Sequence, residues 1–333
     1  MPSGAGFSAS SAKASNSSYY KGVYFGNGTE SGSGSSRNYS YLYQYSTYTS
    51  LWVAYPLYSS VMSSSAPYSP DTPYNPNSRY GNYVMKRPPV KKESASGTTY
   101  SVSSDEGYTG NWTWNTFVSK SYQVNIWDGS YNVILGQTNP VDDAQTACGS
   151  DGDYYARGHQ IPNADRNLSD PSTMQDQTFV ATNSTPQIQK KFNAKVWQAL
   201  EKGVRDCARG GGANDTVYVV TGAAFQKADG SDGTPSITYI HPKKDSSKSV
   251  PVPNYYWKVL LKVKWSEAGK VSSAMAVGVW IPHQKYESND YSSFVTSVDN
   301  IEQWTGFDFF ANLPASLQST AEANTSWSDF QSF

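Results

Sequence analysis

The chain has 333 residues, enough for one large domain or two small ones, and 26 Lys and Arg against 27 Asp and Glu leave a formal net charge of −1. That balance excludes a globally basic nucleic-acid binder, so any grip on phosphates must come from a local patch. No apolar run approaches the ~20 residues that a membrane-spanning helix requires.

Residues 1–36 are rich in Ser, Gly and Asn with few aliphatics, so most of this stretch cannot bury a core and reads as a disordered N-terminal segment or linker. Within it Tyr19, Tyr20, Val23 and Phe25 offer one edge strand. The start, Met1-Pro2-Ser3-Gly4, lacks the basic and apolar parts of a signal peptide. Abundant Tyr, Ser, Gly and Asn with sparse charge favour a mature secreted, periplasmic or cell-surface chain without its leader. Tyr39–Tyr45 and Leu51–Tyr55 then read as a hairpin. From Ser59 to about Gly110 the chain is Pro-, Ser-, Asn- and Tyr-rich, with a basic knot at Lys86, Arg87, Lys91 and Lys92. This is an irregular insertion at about 59–110, read as a surface elaboration because loops tolerate added length.

The run Arg157-Gly158-His159-Gln160-Ile161-Pro162-Asn163-Ala164-Asp165-Arg166 holds one of only three histidines, so a general base has few other candidates. His241 and His283 stand beside Pro242 and Pro282 at strand ends and read as structural. Gln189–Arg209 is the clearest helix: Phe192, Val196, Leu200, Val204 and Cys207 form an apolar stripe, and Gly210-Gly211-Gly212 supplies a stop. A second row, Asn193, Trp197, Glu201 and Arg205, is offset by about 100° and faces a groove. Between Ala156 and Arg209 eight Lys and Arg face five Asp and Glu, which provides the local positive excess that the whole chain lacks. Cys148 precedes the histidine run and Cys207 ends the helix, leaving a disulfide and two thiols both open. Val217–Val220, Tyr255–Val263 and Ala274–Ile281 complete a central antiparallel sheet.

Arg157-Gly158-His159-Gln160-x-Pro162, Thr182-Asn183-x-x-Pro186-Gln187, Phe192-Asn193-Ala194-Lys195-Val196-Trp197 with Leu200-Glu201, and Thr305-Gly306-Phe307-Asp308-Phe309-Phe310 follow one another in order. Together they resemble the DNA/RNA non-specific endonucleases, the ββα-metal nucleases, and in particular their secreted bacterial members. The resemblance implies an α+β fold: a central antiparallel sheet flanked by helices, with a ββα-metal (His-Me finger) site in a domain over residues 37–333. It also implies hydrolysis of DNA and RNA phosphodiesters with little sequence specificity, leaving 5′-phosphate ends. His159 matches the general base, Asn193 the Mg²⁺ ligand (Mn²⁺ as substitute), Glu201 the residue that holds metal-bound waters, and Arg157 and Arg205 basic residues at the phosphate. A homodimer is compatible with it, and any inhibitor or immunity partner stays open.

Competing assignments are plainer. Glu201 and Arg205 also fit an i,i+4 surface pair, Asn193 a surface amide, and Trp197 core packing. Asn183 and Gln187 fit a turn, and Asp165 and Arg166 fit pairing with each other or with backbone. Ala156 stands where the family often has Asp, and a further upstream arginine is not placed near Trp112 and Trp114. These departures leave room for a pseudo-nuclease that binds without cutting. The Tyr- and Trp-rich first hundred residues leave room for a surface- or carbohydrate-binding segment carrying a nuclease.

Overall fold

The computed structural model describes residues 14–25, 37–62, 90–94, 97–101, 115, 117–124, 126, 151–166, 174, 177–209, 215–227, 236–242 and 245–333. In chain order the strands are β1 (Ala14–Ser15), β2 (Tyr19–Phe25), β3 (Arg37–Gln44), β4 (Thr49–Leu57), β5 (Val90–Ser94), β6 (Gly97–Ser101), β7 (Tyr155–His159), β8 (Ser184–Ile188), β9 (Val217–Ala224), β10 (Tyr239–Ile240), β11 (Val250–Pro251), β12 (Tyr255–Trp265), β13 (Val271–Pro282) and β14 (Val295–Thr296). Eight of them form one antiparallel sheet in the order β1-β2-β3-β4-β9-β12-β13-β14. The helices are α1 (Gln198–Cys207), α2 (Val298–Thr305), α3 (Ala315–Glu322) and α4 (Trp327–Ser332).

Nine consecutive residues of β12, Tyr255 to Val263, are buried, because both faces of the sheet are covered. Alternation sends Tyr255, Trp257, Val259, Leu261 and Val263 into one core together with Val298, Ile301 and Ala321 of α2 and α3. Tyr256 and Leu260 enter the other core, with Phe192, Trp197, Leu200 and Val204 of the Asn193 segment and α1. The two-stranded ribbon β7–β8 lies on this second face. There the Tyr256 hydroxyl donates to Thr185 Oγ1 or to Pro186 O, at 2.9 and 2.8 Å, and Gln160 Nε2 donates to Ser50 O on β4 at 2.9 Å.

Three expectations change. β2 lies between β1 and β3, not at the sheet edge, and Lys21 and Val23 on it are buried. Gly22 admits the ring of Tyr41, and Tyr24 packs on Tyr39 and Tyr41, so aromatic contacts draw this strand into the sheet. The sheet therefore begins before residue 37, and 19–25 are not linker. Within 59–110 the described residues form a short helical turn, Ser59–Val61, and the hairpin β5–β6, so the insertion is not irregular throughout. The expected single helix over 189–209 is broken, as set out below. Lys86, Arg87, Trp112, Trp114, Cys148 and residues 210–212 lie outside the described residues; Cys207 is buried, and that burial raises its thiol.

The tightest point of the sheet is Gly222 on β9. A Cβ there would stand 2.2 Å from Leu51 O and 2.3 Å from the Trp257 ring, both sides being fixed by strand pairing. Gly222→Ala is therefore expected to lower stability by about 1–3 kcal/mol or more. A shift of the urea midpoint checks this; an unchanged midpoint would mean that β4 and β12 separate easily.

Candidate active site

His159 ends β7 and pairs with Ser184 across the ribbon, while Tyr155 pairs with Ile188. Gly158 permits this approach, since a Cβ on it would fall 2.2 Å from Gln187 Oε1. Gln187 thus packs on a strand and does not fix a turn. Asn183 does hold the chain: its Oδ1 accepts from Ile161 N–H at 3.0 Å, and its Nδ2 donates to Ile161 O at 3.1 Å or Thr178 O at 2.8 Å. The imidazole of His159 meets the Phe179 ring edge-on, with centroids 4.9 Å apart.

After β8 the chain enters Gln189–Trp197. Its last turn is wide, with the Gln198 N–H reaching back to Asn193 O, and Ala194 (φ −86°, ψ 17°) and Lys195 (φ −126°, ψ −113°) leave helical geometry. Breaks of this i→i−5 kind recur at functional sites. The start of the segment is held from outside. Buried Asp153 accepts from the Lys190 and Lys191 N–H groups at 2.8 and 3.1 Å, satisfying donors that a helix start leaves open. His283 accepts the Ile188 N–H on Nε2 at 2.9 Å, and its Nδ1–H donates to Pro253 O at 2.8 Å. Burial lowers the His283 imidazole to about 4, so it is neutral in this arrangement. Sequence reasoning missed Asp153, and nothing local marks it as the cap of a segment 37 residues away.

His159, Asn163, Gln189, Asn193, Gln198 and Glu201 line a cleft of about 240 Å³ between the ribbon and α1. Asn193 Nδ2 donates to Gln189 Oε1 at 2.9 Å, which leaves its Oδ1 available to a ligand. Burial raises the Glu201 carboxyl, and the charges of Lys258 and Arg205 pull it back down. Lys258 is itself buried, 4.6 Å above the Trp197 ring, so Trp197 packs as core. A larger hollow of about 390 Å³ beside Tyr218, Leu261 and Leu313 has no carboxylate or imidazole, so volume alone does not mark the site.

The cleft lining does not include the two arginines expected at a phosphate. Arg157 lies two residues from His159 on the same face of β7, half-buried, and donates to Ile126 O at 3.0 Å. Arg205 is only 2% exposed and sits behind Glu201, where it donates to Asp165 Oδ1 at 2.9 Å; the Tyr55 hydroxyl takes Oδ2 at 2.7 Å. Arg166 donates to Asn38 Oδ1 and to the carbonyls of Asp165, Asn38 and Pro56, so the expected bracing of this loop is present. Ala156 pairs with Gln187 and, by strand alternation, points to the face opposite His159. His241 lies outside this cleft lining.

The family model of the DNA/RNA non-specific endonucleases matches residues 21–316. A nuclease of Syncephalastrum racemosum is 34% identical over 168 residues, 49% of each chain. A nuclease of Nostoc sp. is 29% identical over 177 residues, 52% of this chain and 56% of that one. The mitochondrial endonuclease G of Caenorhabditis elegans is 26% identical over 160 residues, 48% of each chain. The chain thus spans about half the length of the curated relatives it matches. A chain in the crystal structure of the EndoG/EndoGI complex shares the fold at a TM-score of 0.51 and 18% identity, over 92% of this chain and 88% of that one.

Two outcomes test the scaffold of the cleft. Asp165→Asn leaves the buried Arg205 guanidinium uncompensated and is expected to cost about 3–5 kcal/mol in urea unfolding. Adding Arg205→Met should cost less than the sum of the two single changes, and strict additivity would mean that the pair is not coupled. The second concerns pH. An unfolded histidine takes up its proton near 6.5, but folded His283 does so only near 4, so stability should fall as pH drops from 6.5 toward 4. His283→Gln should show a shallower slope in that window; parallel curves would mean that folded His283 is not held neutral.

Proposed function

The chain belongs to the DNA/RNA non-specific endonuclease family, and we propose that it is a metal-dependent endonuclease that hydrolyses DNA and RNA phosphodiesters with little sequence specificity. The observation that carries this reading is one cleft shared by an imidazole, an amide oxygen and a desolvated carboxyl: His159, Asn193 and Glu201. On this reading β7, β8 and the helix bearing Asn193 and Glu201 form the ββα-metal finger.

Phosphodiester hydrolysis needs a deprotonated water, neutralised phosphoryl oxygens and help for the departing oxygen. His159 accepts the proton of the attacking water, a task suited to an imidazole near neutral pH. The donor set of Asn193 Oδ1 and the Glu201 carboxylate is oxygen-only, which fits Mg²⁺ and, as a substitute, Mn²⁺. When bound, such an ion supplies Lewis-acid charge neutralisation at the scissile phosphate. Asn193 would hold such an ion through Oδ1, its amide being oriented by the hydrogen bond to Gln189. Glu201 would orient the ion's water by hydrogen bonds, as groups one step removed from a metal commonly do. Arg157, on the His159 face of β7, contacts phosphate from the rim. Arg205 is a positioning residue: it fixes Asp165 and partly offsets the cost of burying Glu201.

Contacts of these kinds read phosphate and sugar, which carry no sequence code, so low base specificity follows. By the family resemblance, water attacks in line with O3′ as the leaving group, which leaves 5′-phosphate and 3′-hydroxyl ends. The face that Ala156 takes weakens the pseudo-nuclease alternative, since an Asp at that strand position would not point with His159. The Ser-, Tyr- and Gly-rich composition supports work at a secreted, periplasmic or cell-surface location.

Supercoiled plasmid and total RNA should both be degraded with Mg²⁺ or Mn²⁺ and preserved with EDTA. His159→Ala and Asn193→Ala should each lower kcat/KM by about 10²-fold or more while leaving the far-ultraviolet circular dichroism unchanged. Intact substrates with both metals, alongside retention in a gel shift, would instead identify a nucleic-acid binder that does not cut.

A further inference from the structure

Ser297 caps α2 by accepting the Asn300 N–H, and the left-handed Gly306 (φ +70°) ends it. The turns of α2 and α3 then bring three carboxyl side chains together: Asp299 in the first turn of α2, Glu302 one turn later, and Glu322 at the end of α3. One oxygen from each lies within 4.8 Å of the others. Ligands on opposite sides of an ion at about 2.4 Å are at most about 4.8 Å apart, so a single Ca²⁺-sized ion can touch all three.

The geometry points to a second cation site: Asp299, Glu302 and Glu322 hold one hard divalent cation of the Ca²⁺ class between α2 and α3. The observation that separates this cluster from ordinary surface acids is Glu322. Its side chain is 3% exposed, and its Oε1 has no hydrogen-bond partner. A buried acceptor left unmade costs free energy, and a buried charge costs more unless a cation faces it. Among the described residues no ion pair reaches any of the three carboxylates. Nearby, Glu302 Oε1 accepts the Phe309 N–H, and the Gln318 side chain hydrogen-bonds to Glu322 and faces Asp308 Oδ1 and Phe309 O, which still leaves Glu322 Oε1 without a partner. Without a cation, burial lifts Glu322 to about 8 and Glu302 to about 7, with neighbouring carboxylates adding to both. Asp299 is exposed and Glu302 partly so, which leaves room for water in the remaining positions of a six- to eight-coordinate ion.

This site lies apart from the cleft. α2 and α3 pack on the face of β12 that carries Trp257 and Val259, whereas the cleft sits over the face that carries Tyr256 and Leu260. The proposal therefore does not rest on the nuclease reading. Its consequence is mechanical: the ion ties α2 to α3 over β13 and stabilises that layer.

The test uses the full chain carrying Asn193→Ala, so that the cleft ion is removed and activity plays no part. Adding CaCl₂ to EDTA-treated protein should raise Tm by several degrees, as a ligand specific to the folded state does. Tb³⁺ should give emission sensitised by Trp304, two residues from Glu302, and Ca²⁺ should quench it by competition. Adding Glu322→Gln should abolish both signals and leave the metal-free protein at least as heat-stable, because a buried carboxyl whose Oε1 has no partner is gone. A Ca²⁺ shift of equal size with Glu322→Gln would overturn the proposal, as would no shift and no Tb³⁺ signal in the Asn193→Ala chain. A Tm that follows pH but ignores Ca²⁺ would show a protonated acid cluster instead.

Discussion

A guanidinium and a carboxylate 2.9 Å apart, both nearly sealed from solvent, join the short helical turn after His159 to the helix that carries Glu201. Asn163 and Ala164 of that turn and Gln198 and Glu201 of that helix line opposite sides of the cleft, so this contact between Asp165 and Arg205 helps to set its width. A buried pair of this kind gives little net stability, because desolvation consumes most of the attraction. What it gives is registry. Asp165 also takes the Tyr55 hydroxyl, and Arg166 grips the carbonyls of Asn38 and Pro56, so the same loop is fastened to β3 and β4. The His159 imidazole is thus referred to the sheet through a chain of charged hydrogen bonds, which are shorter and stronger than neutral ones.

The other wall of the cleft is placed by different means. Its helix is interrupted at Ala194 and Lys195, and an interrupted helix has no rigid way to carry orientation from one end to the other. The two ends are therefore fixed separately. Asp153 and His283 hold the backbone at Ile188, Lys190 and Lys191, while Arg205 and Lys258 stand against Glu201 beyond the break. This division explains why a neutral histidine is needed at position 283: only an unprotonated Nε2 can accept the Ile188 N–H while Nδ1–H serves Pro253.

How much of this was legible depended on the distance over which each contact acts. The apolar stripe Phe192, Val196, Leu200 and Val204 is local, and all four residues are buried as its period requires. The strands at Val217–Val220 and Tyr255–Val263 were equally plain, because two-sided burial leaves a continuous run of apolar and aromatic residues. The break at Ala194–Lys195 was not, since neither residue is a helix breaker and the cause lies in the contacts at each end. Asp153, His283 and Lys258 were invisible as site residues because their partners lie 37, 95 and about 57 positions away in sequence. Arg205 was placed at the phosphate by the family resemblance, and its helical row put it toward a groove; neither shows what the fold packs against that side, which is Asp165.

The two faces of the sheet also differ in electrostatic sense, and each suits the charge that its site is proposed to receive. Behind the cleft buried ionic groups of both signs are matched: Arg166, Arg205 and Lys258 with Asp153, Asp165 and Glu201. A polyanion approaching this side therefore meets no unmatched buried carboxylate, even though the whole chain is slightly acidic. On the opposite face Asp299, Glu302 and Glu322 gather negative charge that no described side chain pairs. A cation is the simplest neutral ending for that cluster, and a phosphate the least tolerable. A layer of buried aromatic and aliphatic residues separates the two, so the unpaired acids stand away from the face on which a phosphate is proposed to bind.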